Sequence, residues 1–257
     1  MVDTWKTEIT NIKPNKVMLR GYPIDQLMGN ISYAQGVYLA LKGELPTENV
    51  GKLIDAILVS SIDHGVTPPS AMAAMIAAST GAALNSALAA GILSINRFHG
   101  GAIEDCMRAI LEVKAYKEEQ QCDDATAATA IVANYRAKKV RIAGFGHRIH
   151  TEDPRTIKLF RLADELNLAG EFVELGKALE AAISESLGKK LPMNVDGAIA
   201  ALLCELDFEP DLANAFFIMA RVPGLVAHIR EEQTRQKPMR RIDPNNWEYD
   251  GAEERFL

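Results

Sequence analysis

The stretch AMAAMIAASTGAALNSALAAGILSI, residues 71 to 95, is free of charge and draws most of its apolar character from alanine rather than leucine or isoleucine. Ser79, Thr80, Asn85 and Ser86 interrupt it, so it reads as a buried helix and not as a membrane span, which needs about 20 consecutive apolar residues. Pro68 and Pro69 precede it, where a first helical turn tolerates proline. Its small side chains allow neighbouring helices to approach closely. Such a helix is central to a fold and, in a symmetric oligomer, can also lie at a subunit contact.

Outward from this stretch the chain reads as a succession of helices. Ile31 to Lys42 stops at Gly43 with Pro46 beyond it, the usual C-terminal punctuation, and Val50 to Asp63 forms the next helix. Downstream, Ala102 to Glu118 is amphipathic, and Asp123-Asp124 opens a helix through Lys138. Asp153-Pro154-Arg155 looks like another helix start; Phe172 to Leu187, Gly197 to Leu206 and Asp211 to Glu232 follow, with Pro223-Gly224 expected to bend the last. Strand-like alternation is scarce, apart from Val140 to Ala143, so the expected fold class is all-α. No internal repeat or low-complexity linker is visible.

Bulk properties narrow the function classes. A length of 257 residues allows one large domain or two smaller ones, and 48% hydrophobic with 24% charged residues is ordinary for a soluble globular chain. A net charge of -6 with no dominant basic run argues against a nucleic-acid surface. Cys106, Cys122 and Cys204 form no CxxC pair, which disfavours a disulfide framework or structural zinc and fits a reducing, cytoplasmic setting. The N-terminal residues lack the apolar core of a signal peptide.

Three of the five histidines sit beside glycine: Asp63-His64-Gly65, Phe98-His99-Gly100-Gly101 and Gly144-Phe145-Gly146-His147-Arg148. Glycine lets the backbone turn sharply and approach a ligand closely, so these imidazoles look placed for proton handling rather than packing. A fourth island, Pro192-Met193-Asn194-Val195-Asp196-Gly197, adds a carboxylate.

These islands carry a resemblance. Gly21-Tyr22-Pro23-Ile24, Gly43-Glu44-Leu45-Pro46, Phe98-His99-Gly100-Gly101, Gly144 to Arg148 with Asp153-Pro154-Arg155, Asn194-Val195-Asp196, and Ala220-Arg221 with Gly224 run in the order found in the citrate synthase superfamily. Six matches in register cover residues 20 to 241, and the short chain resembles the citryl-CoA-cleaving members: citryl-CoA lyase and the corresponding module of ATP-citrate lyase. The resemblance implies a citrate synthase-like fold, with a large helical domain (1–107 and 212–257) and a smaller inserted one (108–211), and an active site in the cleft. Gly100-Gly101 is a candidate hinge.

The resemblance further implies catalysis by His99, His147 and Asp196. The expected reaction is retro-Claisen cleavage of citryl-CoA to acetyl-CoA and oxaloacetate. His99 would stabilise the thioester enolate, His147 would take the proton of the tertiary hydroxyl, and Asp196 would protonate the nascent methyl group. Arg155, Arg221 and His64 match citrate ligands, and a further arginine comes from the partner subunit, here Arg240 or Arg241 with Arg241 preferred. Arg148, Lys189, Lys190 and the Gly144, Phe145 and Gly146 backbone are available for coenzyme A. The enzyme would hold no permanent cofactor, take coenzyme A thioesters as substrate and product, and act as a homodimer or larger homo-oligomer away from nucleic acid and membrane.

Blander readings stand beside these roles. His99 can be a helix-terminal histidine, Asp196 a helix N-cap, Arg155 a neutraliser of a neighbouring carboxylate, and Lys189-Lys190 a solvated loop, while His150 and His228 read as structural or solvent-facing. No HxxxH or HExxH pair supports a metal site, and Gly144-Phe145-Gly146 lacks the third glycine and preceding strand of a mononucleotide loop. Two other functions remain: a citrate synthase that condenses acetyl-CoA with oxaloacetate and hydrolyses citryl-CoA, and a catalytically silent CoA-binding subunit. The silent subunit would be expected to have lost one of the three catalytic side chains, and all three are present.

Overall fold

The computed structural model describes residues 4–146, 152–240 and 250–251. By internal packing the chain divides into two compact units. One comprises Met1–Ile62 with Gly100–Arg221, the other Asp63–His99 with Val222–Leu257.

The first unit opens with a small antiparallel meander, β1 (Thr10–Lys13), β2 (Lys16–Leu19) and β3 (Tyr22–Pro23), in the order β1-β2-β3. Ile12 faces Val17, and Leu19 faces Tyr22 across a turn in which Arg20 and Gly21 both have positive φ, as the favoured two-residue hairpin turn requires. This sheet corrects the expectation of strand only at 140–143, which instead form no strand. Strands of four residues or fewer are too short for alternation to register as a pattern.

Helices α1 (Ile24–Leu27), α2 (Tyr33–Lys42) and α3 (Glu48–Ser60) follow. A capping box between Ser32 and Gln35 starts α2, Gly43 ends it in the left-handed conformation, and Thr47 caps α3. Further along the chain come α4 (Pro69–Ser79), α5 (Leu84–Leu93), α6 (Ala102–Gln120), α7 (Asp124–Ala137), α8 (Pro154–Glu165), α9 (Glu171–Leu187) and α10 (Val195–Glu205). A short 3-10 turn (Pro210–Leu212) leads into α11 (Ala213–Arg235). Asp123 and Asp153 cap α7 and α8, as their sequences announce.

The core of the first unit is built around α10. Nine of its residues are buried, among them Ala198, Leu202 and Leu203, and it packs against α6, α8 and α9. A helix apolar on every side suits this central position, and it delivers its N-terminal turn to the candidate site.

In the second unit the alanine-rich stretch is two helices, not one. Gly81, at φ +90°, breaks it between α4 and α5, which pack on each other and on Leu225 and Ile229 of α11. Gly91 lets the elements touch: a Cβ there would lie 2.9 Å from the Ser70 carbonyl oxygen and 3.1 Å from Leu225 Cδ1. At 11 and 10 residues, neither helix has the length to cross a bilayer. Pro223 lies inside α11, one residue beyond the junction of the two units.

Candidate active site

In the first unit the site is organised by the loop leading into α10. Gly144–Gly146 runs antiparallel to Pro192–Asn194: Phe145 bridges Met193, Gly146 N–H donates to the Pro192 carbonyl at 2.6 Å, and Asn194 N–H donates to the Gly144 carbonyl at 3.0 Å. Two glycines make this approach possible. A Cβ on Gly197 would sit 2.4 Å from the Gly144 carbonyl oxygen, and one on Gly144, itself at φ +87°, would sit 2.7 Å from Cys106 Sγ. Glycine here serves backbone contact. The Gly146 amide is committed to Pro192, so it is not a free donor for a phosphate.

Asn194 caps α10, its side-chain oxygen accepting from Asp196 N–H and Gly197 N–H, while its amide donates to the Gly146 carbonyl at 2.8 Å. Asp196 therefore stands in the first turn with its carboxylate released from capping duty. Among the described residues no donor is hydrogen-bonded to that carboxylate. Burial pushes its pKa above the ordinary carboxylate value; Arg155 and Arg221 pull the other way, and Asp153 reinforces the rise. The acid form thus persists to higher pH than in water.

Asp153 is buried and accepts four hydrogen bonds: from Arg155 N–H and Nε at 3.0 Å, from Arg155 Nη2 at 2.9 Å, and from Val195 N–H at 3.1 Å. Burial by itself raises this carboxyl's pKa, but the Arg155 side chain, its backbone amide and the Val195 amide outweigh it and hold the group below the ordinary range. One carboxylate thereby joins the start of α8 to the start of α10. Arg155 does pair with a neighbouring carboxylate, leaving Nη1, which reaches the Ser60 carbonyl at 3.5 Å. Arg221, buried on α11, donates from Nε to the adjacent Ser61 carbonyl at 3.1 Å and stacks over Phe217 at 4.8 Å. Both guanidiniums hang from the carbonyl end of α3, which favours positive charge, and both act on the Asp196 carboxyl.

A cavity of about 320 Å³ in the same unit is lined by Tyr135, Arg136, Arg141, Phe145, Ile183 and Lys189, among others. Phe145 and Lys189 of the expected coenzyme A set thus share one hollow, whereas Lys190 pairs with Glu152 at 2.7 Å on the surface. Arg136 and Arg141 add positive charge that the sequence reading did not use.

In the second unit His99 closes a tight turn with Asn96 through two 2.8 Å backbone bonds, and its Nε2 lies 2.8 Å from the Ser70 hydroxyl, which is fully buried. Ser70 was not legible as a site residue, because 29 positions separate it from His99 and nothing local marks it. His64 is exposed, in a turn organised by Asp63, which accepts from Gly65 N–H and, at 2.9 Å, from His228 Nε2. His228 accordingly has a structural role. Arg240 is held by the buried Glu232 carboxylate. His147, Arg148, His150 and Arg241 lie outside the described residues. Among the described residues no cluster of His, Cys, Asp and Glu has the form of a metal site.

Residues 47–242 match the family model of the citrate synthase C-terminal domain. The chain is similar over 99% of its length to citryl-CoA lyase from Hydrogenobacter thermophilus, covering 98% of that chain at 44% identity and a TM-score of 0.90. Citrate synthase from the archaeon Thermoplasma acidophilum, solved with carboxymethyl coenzyme A and oxaloacetate, is similar at 27% identity and a TM-score of 0.71 over 88% of this chain and 58% of that one. The citrate synthase of Haloferax volcanii is 30% identical over 208 residues, 79% of this chain and 52% of that protein. The chain spans about half the length of the curated citrate synthases it matches.

Proposed function

This chain belongs to the citrate synthase family, and from that membership we propose that it is a citryl-CoA lyase, cleaving citryl-CoA to acetyl-CoA and oxaloacetate. The observation that carries the choice of cleavage over synthesis is the likeness to the Hydrogenobacter thermophilus lyase, which runs end to end at 44% identity.

In this mechanism His147 takes the proton of the tertiary hydroxyl, the carbon-carbon bond breaks, and the electron pair moves onto the thioester as an enolate. His99 donates a hydrogen bond to the enolate oxygen. The Ser70 hydroxyl, 2.8 Å from Nε2, fixes the orientation of the ring; in the tautomer that accepts from Ser70, Nδ1 carries the proton offered to the enolate. Asp196, whose burial favours the acid form, delivers its proton to the terminal carbon, leaving acetyl-CoA and oxaloacetate. Arg221, Arg155 through its Nη1, and His64 bind citrate carboxylates, with Arg241 supplied by a second subunit; the fixed pairing of Arg240 with Glu232 supports Arg241 as the contributed residue. Phe145 and Lys189, which line one cavity, support coenzyme A binding there, with Arg148 assigned to coenzyme A from the family resemblance alone.

The functional division into 1–107 with 212–257 and an inserted 108–211 belongs to this proposal, with Gly100, at φ +97°, as a joint. So does a homo-oligomer: Met72, Ile76, Leu84 and Leu93 are exposed on the charge-free α4–α5 pair, a surface suited to a second copy. Three free cysteines support operation in the cytoplasm.

The test is incubation of the purified protein with citryl-CoA and no ATP, reading oxaloacetate through malate dehydrogenase. Oxaloacetate formation is expected. Citrate accumulating from acetyl-CoA and oxaloacetate would instead identify a synthase, and no turnover in either direction a silent subunit.

A further inference from the structure

Asp196 stands in the first turn of α10, and from Leu191 in the preceding loop through Gly197 in that turn every N–H has a partner. Leu191 donates to Ser184 Oγ at 3.0 Å, Met193 to Glu180 Oε2 at 3.0 Å, Asn194 to the Gly144 carbonyl at 3.0 Å, Val195 to Asp153 at 3.1 Å, and Asp196 and Gly197 to Asn194 Oδ1. Pro192 has no N–H to place. Asp153 and Asn194 lie in motifs the sequence displays. Glu180 and Ser184 do not; both come from the flank of α9.

Glu180 holds the middle of the loop. Met193, three residues ahead of Asp196, is 2% exposed and is gripped at three points. Its N–H is taken by Glu180, its carbonyl accepts from the Thr156 hydroxyl of α8 at 3.4 Å, and its side chain fills the notch between Gly176 and Gly197. Among the described residues Glu180 makes no ion pair, although it acts on Lys190 electrostatically from farther off, and its hydrogen bond goes to the loop amide. An ionised acceptor makes a stronger bond than a neutral one and fixes the amide's direction.

We propose that Glu180 is a positioning residue for the reaction: through Met193 it sets where the Asp196 carboxyl stands relative to the carbon it protonates. The inference rests on the proton-donor role proposed for Asp196. A displaced proton donor slows chemistry without weakening substrate binding, because displacement of a reacting group by a fraction of an ångström acts on the transition state. Removing the acceptor also leaves a buried amide unsatisfied, which loosens the loop.

The experiment compares Glu180→Ala with Glu180→Gln, whose amide oxygen still accepts. Glu180→Ala is expected to lower kcat for citryl-CoA cleavage about tenfold with KM within about twofold, and Glu180→Gln to keep kcat within about twofold of the parent. Hydrogen exchange of the 191–195 amides should be faster in Glu180→Ala and near parental in Glu180→Gln. Unchanged kcat in Glu180→Ala, equal losses in both variants, or a rise in KM alone would overturn the proposal, as would parental exchange in the alanine variant. Absence of cleavage by the parent protein would overturn the assigned activity instead, and the exchange comparison reads the anchor independently of it.

Discussion

The Asp196 carboxyl pays for its position. Burial raises its pKa in the folded protein, so as pH rises past the unfolded value of about 3.9 the unfolded chain ionises first and the fold loses stability. Asp196→Asn removes that penalty. The variant is expected to melt at the parental temperature or above it while losing about 10² to 10⁴ in cleavage rate, checked by thermal unfolding beside the coupled assay. Cleavage itself needs the acid form, so its rate should fall as pH rises through the Asp196 pKa, whereas condensation needs the carboxylate and should fall in the opposite direction.

Asp153 behaves in the reverse sense. Its folded pKa is held low, so it stabilises the protein above the unfolded value of about 3.9, and that stability disappears as pH falls through the folded pKa. Asp153→Asn leaves Arg155 without its fork and weakens the tie to Val195. A loss of about 2 to 3 kcal/mol is expected at neutral pH, shrinking as pH falls below the unfolded value of about 3.9 and gone only below the lowered folded pKa, where the folded parent gives up the same charge. Denaturant unfolding at the two pH values reads the difference; an equal loss at both would contradict the assignment.

At the scale of elements, the glycine contact between 144 and 197 is what brings α10 against the 144–146 segment. Gly197→Ala places a methyl 2.4 Å from a carbonyl oxygen and 2.6 Å from Met193 Cγ. It should cost about 2 to 4 kcal/mol and most of the activity, measured by unfolding and turnover, because backbone and a buried side chain must both move. Helix starts were legible at Asp123 and Asp153, whose caps sit within a few residues of the amides they satisfy, whereas the caps Ser32 and Thr47 went unread and their helices, expected from Ile31 and Val50, begin at Tyr33 and Glu48. The three-strand meander was not, since its strands are too short to show a period. Gly81 was visible but read as part of one helix, because nothing in an alanine-rich window tells a tolerated glycine from one at positive φ. The acid, the arginines and the glycine islands could be named from motif order. Ser70 and Glu180 could not, since each reaches its partner through tertiary packing, across 29 and 13 positions.

For the whole molecule, the exposed apolar face of α4 and α5 and the arginine proposed to cross between subunits make one joint prediction. Arg241→Ala and Asp196→Asn should each be inactive alone. Coexpressed, half of the dimers are mixed and each mixed dimer has one intact site, so about a quarter of parental activity should return. Recovery of none would show that each chain completes its own site.

The central claim is that this protein breaks a carbon-carbon bond and protonates the resulting enolate. Single-turnover cleavage of citryl-CoA in D₂O, with the thioester product read by mass spectrometry, tests it most directly. The expected product is acetyl-CoA carrying one deuterium on its methyl group, alongside oxaloacetate. Free coenzyme A with citrate, and no labelled acetyl-CoA, would contradict it.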